Sequence, residues 1–364
     1  MVSDVARWRD RRLLDRLGLS IPLIQAPMAG ASGPQLAIAA IHAGGLGSLP
    51  CALLTPATVR EQVAEVRSQS AGPLNLNFFC HDMAESIDDS AWRSLLEPYY
   101  AEFGIDTPGS PPPLRKPFDE AMCAVIEELR PEVVSFHFGL PADSLLARIR
   151  DARAFIIANA TSPAEARWLA ERGVDAIIAQ GYEAGGHAGS FLAAPPGTQM
   201  GLMALLPQVV DAVAQPVIAA GGIGDGRGMA AALMLGASAV QLGTCYLRSP
   251  ECFVSPSHRA ALDAPDAEQT QFTNLFTGRL ARGLPNRLMN EVGPVRPEAP
   301  VYPHAATALA PLRAAAETRG ESDFSALWAG QAAALGSALP ARRISEQMAS
   351  EALDLLGLQS WAAA

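Results

Sequence analysis

Between residues 21 and 244 the chain passes eight times through a short, nearly continuous apolar stretch. The stretches are "IPLIQAPM" (21–28), "GLGSLP" (45–50), "LNLNFF" (74–79), "VVSFHF" (133–138), "AFIIANA" (154–160), "DAIIAQG" (175–181), "PVIAAGG" (216–222) and "AVQLGT" (239–244). Runs that do not alternate with polar residues belong to strands buried on both faces, as in a parallel sheet covered by helices. Helix signals fall between them. Pro34 opens a helix that Gly44 stops, and Pro56 opens one reaching about Arg67. Pro141 opens a third, and Ser162-Pro163 and Gly173 bracket a fourth. Eight such β-α units over about 250 residues predict an α/β fold of the (β/α)8 TIM-barrel type. The alternative is a doubly wound open sheet, which would carry a G-x-G-x-x-G fingerprint in its first turn. That turn reads "QAPMAGAS", and the later "GGIGDGRG" (221–228) also fails the spacing.

Two segments exceed a bare barrel. Residues 80–117, with "TPGSPPPLRKP", form an insertion after the third run. Its proline density predicts an extended surface loop with a short helix in 90–103. Residues 265–364 follow the eighth run and predict a smaller helical capping domain over one mouth, the final helix packing back on the barrel. The domain boundaries expected are therefore 1–264 and 265–364. The alanine-rich tail (305–364) could instead serve a homodimer.

Composition narrows the function classes. With 49% apolar and 18% charged residues the chain can bury a large core. A formal net charge of −10 argues against a nucleic-acid surface and gives no attraction to anionic lipid. From Gly228 to Leu247 twenty residues carry no charge, long enough to span a bilayer. Gly236 divides them into a helix end and a buried strand, so no membrane span is expected. Five scattered cysteines without a CxxC pair, and an N-terminus lacking a signal-peptide apolar region, predict reduced thiols in a cytoplasm. No cluster of histidines and carboxylates predicts a metal.

Barrels of this kind place ligands at the C-terminal strand ends. The first run delivers Ala26, Pro27 and Met28 there, the third Asn77, the fourth His137 and the sixth Gln180. The loop after the sixth carries Gly185, Gly186 and His187. The seventh ends in Gly221 and Gly222, the eighth in Gln241, Leu242, Gly243 and Thr244. Glycines after the last two strands let backbone N–H groups approach an anion, the usual barrel phosphate site. Asn77 and Gln180 are amides on apolar strands and need partners. A phosphorylated aromatic heterocycle such as FMN would supply them; loop backbone is the alternative. His187, on a glycine-rich loop, could take a proton from carbon as a neutral imidazole or stabilise an anion as imidazolium. His137 reads as a pocket wall toward substrate or as a packed core histidine.

These residues sit in strings that resemble the nitronate monooxygenases (2-nitropropane dioxygenases) of class I type. The strings are "QAPMAG" (25–30), "AGGLGSL" (43–49), "NLNFF" (75–79), "SFHFG" (135–139), "DAIIAQGYEAGGHAGSF" (175–191), "PVIAAGGIGDGRG" (216–228), "AVQLGTCYL" (239–247) and "FTGRLARG" (276–283). The resemblance implies a TIM barrel with bound FMN and a smaller cap. It implies His187 as catalytic base and Met28 and its neighbours beside the flavin. Asn77, Gln180, Gly185, Gly222 and the run Gln241 to Thr244 would contact FMN. The implied reaction is oxidation of alkyl nitronates such as propionate 3-nitronate by O2, giving carbonyl compounds and nitrite. Ala188 stands where the family commonly has a basic residue, and the 80–117 insertion is longer than the family's. Related FMN barrels reduce enoyl-acyl-carrier substrates or quinones with NAD(P)H, which is the alternative activity.

Overall fold

The computed structural model describes residues 8–84, 87–105, 114–193 and 198–357. The strands are β1 (Leu23–Gln25), β2 (Gly47–Pro50), β3 (Leu74–Phe79), β4 (Val133–His137), β5 (Phe155–Ala160), β6 (Ala176–Gln180), β7 (Gly186–His187), β8 (Val217–Ala220), β9 (Ala239–Leu242), β10 (Gln271–Thr273) and β11 (Ala281–Gly283). Eight of them correspond to the eight apolar runs and form one parallel sheet, in the order β1-β9-β8-β6-β5-β4-β3-β2. A parallel bridge between Ile24 and Leu46 joins the two edge strands. The Gln25 N–H donates to the Leu46 carbonyl and the Leu46 N–H to the Leu23 carbonyl, both at 2.9 Å. The sheet thus closes on itself as the barrel that the sequence predicts.

Helix starts follow their capping chemistry. Thr55 and Ser162 accept main-chain N–H bonds at the heads of the helices Pro56–Gln69 and Pro163–Glu171, each with proline in its first turn. Asp225 does the same for Gly226–Met234, taking the amides of Arg227 and Gly228. Pro141 does not itself open a helix. The Pro141-Ala142 pair stays outside, with Ala142 at ψ 145°, and the helix is Asp143–Asp151. The charge-free stretch 228–247 divides as expected between a helix, a turn at Gly236 with φ +100°, and β9. Among the described residues no helix is long and apolar enough to cross a membrane.

The core is split. One apolar cluster fills the barrel and the shell between its strands and helices. A second joins Trp92, Leu96, Tyr99 and Tyr100 of the helix Ser90–Phe103 to Leu275, Phe276, Leu309, Leu312 and Phe324 of the C-terminal segment. The Trp92 indole N–H donates to the Ala305 carbonyl at 3.1 Å, and the Tyr100 hydroxyl donates to that of Ala308. The helix expected in 90–103 is therefore present, but it packs against the C-terminal segment rather than lying in a surface loop. Its apolar face finds cover only in that packing. Most of the proline-dense part of the insertion, 106–113, lies outside the described residues.

The last described helix, Ala341–Leu355, returns to the barrel against the helices Gly226–Met234 and Pro34–His42. Gly226 makes the approach possible: a Cβ there would sit 2.2 Å from Cβ of Glu351. The Glu351 carboxylate accepts the Gly226 amide at 3.1 Å, and Tyr246 and Ser345 share a buried hydroxyl contact at 2.7 Å.

Candidate active site

A cavity of about 500 Å³ opens at the C-terminal ends of the barrel strands. Ala26, Pro27, Met28, Asn77, His137, Gln180, Gly185, Gly186, His187, Gly221, Gly222, Gln241, Gly243 and Thr244 all line it. Leu242 does not. Its side chain is 1% exposed in the barrel core, because neighbours on a strand face opposite ways, and only its carbonyl turns toward the mouth strand to accept the Ala26 amide at 2.8 Å.

The strands bring polar side chains inward at regular register. Asn77 donates to the Ser135 hydroxyl at 3.0 Å and to the Ser135 carbonyl at 3.3 Å. Gln180 is used more fully. Its Oε1 accepts the Gly189 amide at 2.8 Å and the Asn159 side-chain amide at 3.2 Å, and its Nε2 donates to the His187 carbonyl at 3.0 Å. The sequence left open whether these amides serve a ligand or loop backbone. Gln180 demonstrably ties the histidine loop, with one Nε2 hydrogen to spare.

The loop itself is pinned from the other side by the cap. β7 pairs with β11 and β11 with β10, all antiparallel, so that His187 lies opposite Ala281. Arg282 anchors this small sheet. It is 2% exposed, lies over the mutually packed rings of Tyr182 and Phe272 at 4.4 and 4.3 Å, and donates to the carbonyls of Tyr182 and Thr270. His187 Nε2 lies 2.9 Å from Thr277 Oγ1. Rings of Phe79, Phe138, Tyr302 and Trp328 surround the imidazole, their centroids 5.4–6.2 Å away. Glu183, the one acid near it in sequence, instead accepts the Leu202 amide at 2.9 Å.

This environment keeps both histidines neutral. Burial holds His187 well below the ordinary imidazole range, helped by the positive charges of Arg115 and Arg279 and by His137. Burial likewise depresses His137 to about 3, with Arg279 adding to it. Arg279 lies 3.9 Å over the Phe138 ring and donates to the Ser190 carbonyl. Phe138 holds that place with φ +70°, a conformation costly for a bulky residue.

At the other side of the cavity three loops meet main chain to main chain. Gly221 and Gly222 turn with φ +106° and +70°. A Cβ on Gly185 would lie 2.5 Å from the Gly330 nitrogen, one on Gly221 2.9 Å from the Ala184 nitrogen, and one on Gly330 2.7 Å from the Glu183 oxygen. Thr244 Oγ1 accepts the Gly330 amide at 2.9 Å. The amides of Gly222 and Gly243 make no main-chain hydrogen bond to another described residue. Both glycines line the cavity, and amides without a main-chain partner at such a place suit an anion.

A family model described as nitronate monooxygenase matches residues 10–351. The chain belongs to the nitronate monooxygenase family. Its members are oxidoreductases, and so is this chain. A nitronate monooxygenase of Paraburkholderia phytofirmans is 42% identical over 346 residues, covering 94% of each chain. One from Pseudomonas aeruginosa is 41% identical over 340 residues, covering 92% of this chain and 97% of its own. Among solved structures, the nitroalkane oxidase of Streptomyces ansochromogenes superposes with a TM-score of 0.87 at 39% identity, over 96% of this chain and 99% of that one.

Several residues around the cavity of this family member escape a strand-end reading. Asn159 is a polar amide near the C-terminal end of β5, as Asn77 and Gln180 are near the ends of β3 and β6, so the same criterion applied to that run would have found it. Thr277 and Arg279 sit inside the "FTGRLARG" string, but nothing local marks them as neighbours of His187. Arg115, Tyr302, Trp328 and Gly330 come from the insertion and the cap, and only closure of the chain brings them to the site.

Proposed function

We propose that the protein oxidises alkyl nitronates, propionate 3-nitronate among them, with O2 to carbonyl compounds and nitrite, using FMN held in the strand-end cavity. The observation that carries this reading is a half-buried imidazole kept neutral, His187, on the wall of a cavity that the glycines Gly221, Gly222, Gly243 and Gly330 also line. FMN fits the residues present. Gly222, Gly243 and Thr244 would hold its phosphate, Ala26, Pro27 and Met28 would lie along the ring, and Asn77 and Gln180 would serve its polar edge. Gly185, Gly186, Gly221 and Gln241 would complete the lining, and His137 would face the substrate. When bound, FMN supplies the acceptor for the nitronate's electrons and the place where O2 is reduced.

The chain's own groups do the rest. Arg115 and Arg279 give this end of the cavity a positive potential that favours an anionic nitronate, the more so one bearing a carboxylate. The aromatic rings around His187 exclude water and strengthen that attraction. His187 is unprotonated near neutral pH, so it can remove the α-proton of a neutral nitroalkane, the substrate class in the name of the Streptomyces relative.

Anaerobic mixing of the purified protein with a nitronate, then with NADH, tests the reading through the flavin spectrum. Nitronate should bleach the flavin and NADH should not. Rapid bleaching by NADH alone would establish a reductase instead. Colourless protein that releases no flavin on denaturation would remove FMN from the site.

A further inference from the structure

We propose that Thr277, reaching in from the cap, holds His187 in the Nε2–H tautomer, so that Nδ1 is the atom that accepts the substrate proton. The inference rests on the functional reading above for its chemistry, but its geometry stands alone. The Thr277 hydroxyl donates to the Arg279 carbonyl at 3.4 Å. Its hydrogen is thereby committed, and its oxygen is left to receive a bond from His187 Nε2, 2.9 Å away. A neutral imidazole that donates from Nε2 carries its lone pair on Nδ1.

Nδ1 is available for the task. It has no hydrogen-bond partner among the described residues, and it is not sealed from the cavity as the unpartnered ring nitrogens of His81, His258 and His304 are sealed in the protein. Gly186, immediately before it, turns with φ +72°, and both residues line the cavity.

The step balances simply. The α-C–H bond of a neutral nitroalkane breaks, its electron pair stays on the substrate as the nitronate, and an N–H bond forms at Nδ1. The imidazolium produced keeps its Nε2–H···Oγ1 bond, which strengthens as charge develops. The charged and titratable groups facing His187 are Arg115, His137, Arg279 and His81, with the Tyr302 ring against it. None of them is an anion that could take over Thr277's part. Thr277 is thus a positioning residue.

Two measurements decide the matter. In protein labelled with 15N-histidine, two-bond 1H–15N correlations read the tautomer of His187, assigned by its loss in His187→Asn. The signal should show Nε2 protonated and Nδ1 bare, with or without flavin. In Thr277→Val that preference should weaken or reverse, while Thr277→Ser should keep it. In steady-state kinetics Thr277→Val should lower kcat on a neutral nitroalkane about tenfold or more, and displace its pH profile. Thr277→Ser should recover to within about threefold, and turnover of a preformed nitronate should change less than about threefold in either variant. An Nδ1–H signal in the unaltered protein overturns the assignment even if the enzyme oxidises nitronates. A tautomer and a nitroalkane pH profile unmoved by Thr277→Val overturn the positioning role. Should neither substrate be turned over, the functional reading falls and the tautomer result still stands.

Discussion

His137 and His187 line one cavity and are both neutral, yet the molecule holds them in different ways. His137 ends a barrel strand. It lies opposite Phe79 in parallel register, its carbonyl accepts the Cys80 amide at 2.9 Å, and its ring packs on Phe79 and Phe138. His187 lies outside the barrel wall on a two-residue strand. Gln180 holds it from the barrel side, and β11 and Thr277 from the cap. The barrel delivers a residue by repeating periodicity. The cap delivers one by contacts ninety residues away in the chain. Substitutions in the two regions should therefore fail differently.

The largest effect belongs to the imidazole the cap orients. His187→Asn should lower turnover of neutral nitroalkanes by about 10²–10⁴-fold, the usual worth of a general base. Preformed nitronates need no deprotonation and should lose less than about tenfold. Equal turnover of both by the variant would end the contrast between the histidines. Next is the seam. Gly330→Val puts a branched side chain where Cβ already meets the Glu183 carbonyl at 2.7 Å, so the purified variant should lose most of its bound flavin. Gly320 faces open space with φ +78°, and Gly320→Ala should cost only about 1 kcal/mol of backbone strain and leave flavin content unchanged. Equal flavin content in the two variants would show that the seam does not shape the pocket.

Arg282→Ala removes the guanidinium that ties the Tyr182 and Thr270 carbonyls and lies over two rings. Denaturant unfolding should show a loss of about 3 kcal/mol. A smaller loss would mean that the cap sheet is held by strand pairing alone.

His137 gives a milder, pH-dependent effect. Its folded pKa of about 3 lies below the ordinary 6.5. Above pH 6.5 the group is neutral in both states and contributes no difference. Below it the unfolded chain takes up a proton that the folded chain refuses, so stability falls as pH drops toward 3. By pH 5 this amounts to about 2 kcal/mol. The midpoint of thermal unfolding should thus fall less steeply between pH 6.5 and 5 in His137→Gln than in the parent, the remaining slope coming from His81, His187 and His258, whose pKa values burial also lowers. Identical slopes would place a proton on His137 in the folded state.

At the small end is the exposed Arg60–Glu128 pair between helices of the barrel shell. Arg60→Ala should leave both the unfolding midpoint and turnover unchanged.

The two regions also differ in how much a reading of the chain could reach. β3 covers Leu74–Phe79 as the run predicts, and the other barrel strands lie within theirs, because a strand buried on both faces needs an unbroken apolar run wherever the chain supplies one. The strand-end residues follow from that, since the end of a barrel strand opens on the mouth. Leu242 is the exception, facing the core because alternation along a strand sends every second side chain away from the mouth. The helix Ser90–Phe103 could be foreseen as a helix from its residues, but its packing against the C-terminal segment could not. Its partners, Ala305 and Ala308, lie more than two hundred residues on.

The sequence by itself determined the barrel, its strand ends and the presence of an imidazole among glycines, because each rests on a local pattern of apolar residues, capping groups and backbone freedom. Only the tertiary structure decided what that imidazole touches. Thr277, Arg115, Tyr302 and the Gly330 seam reach the site because the insertion and the C-terminal segment pack at the strand-end loops, and a contact between segments far apart in the chain depends on packing that no local pattern encodes.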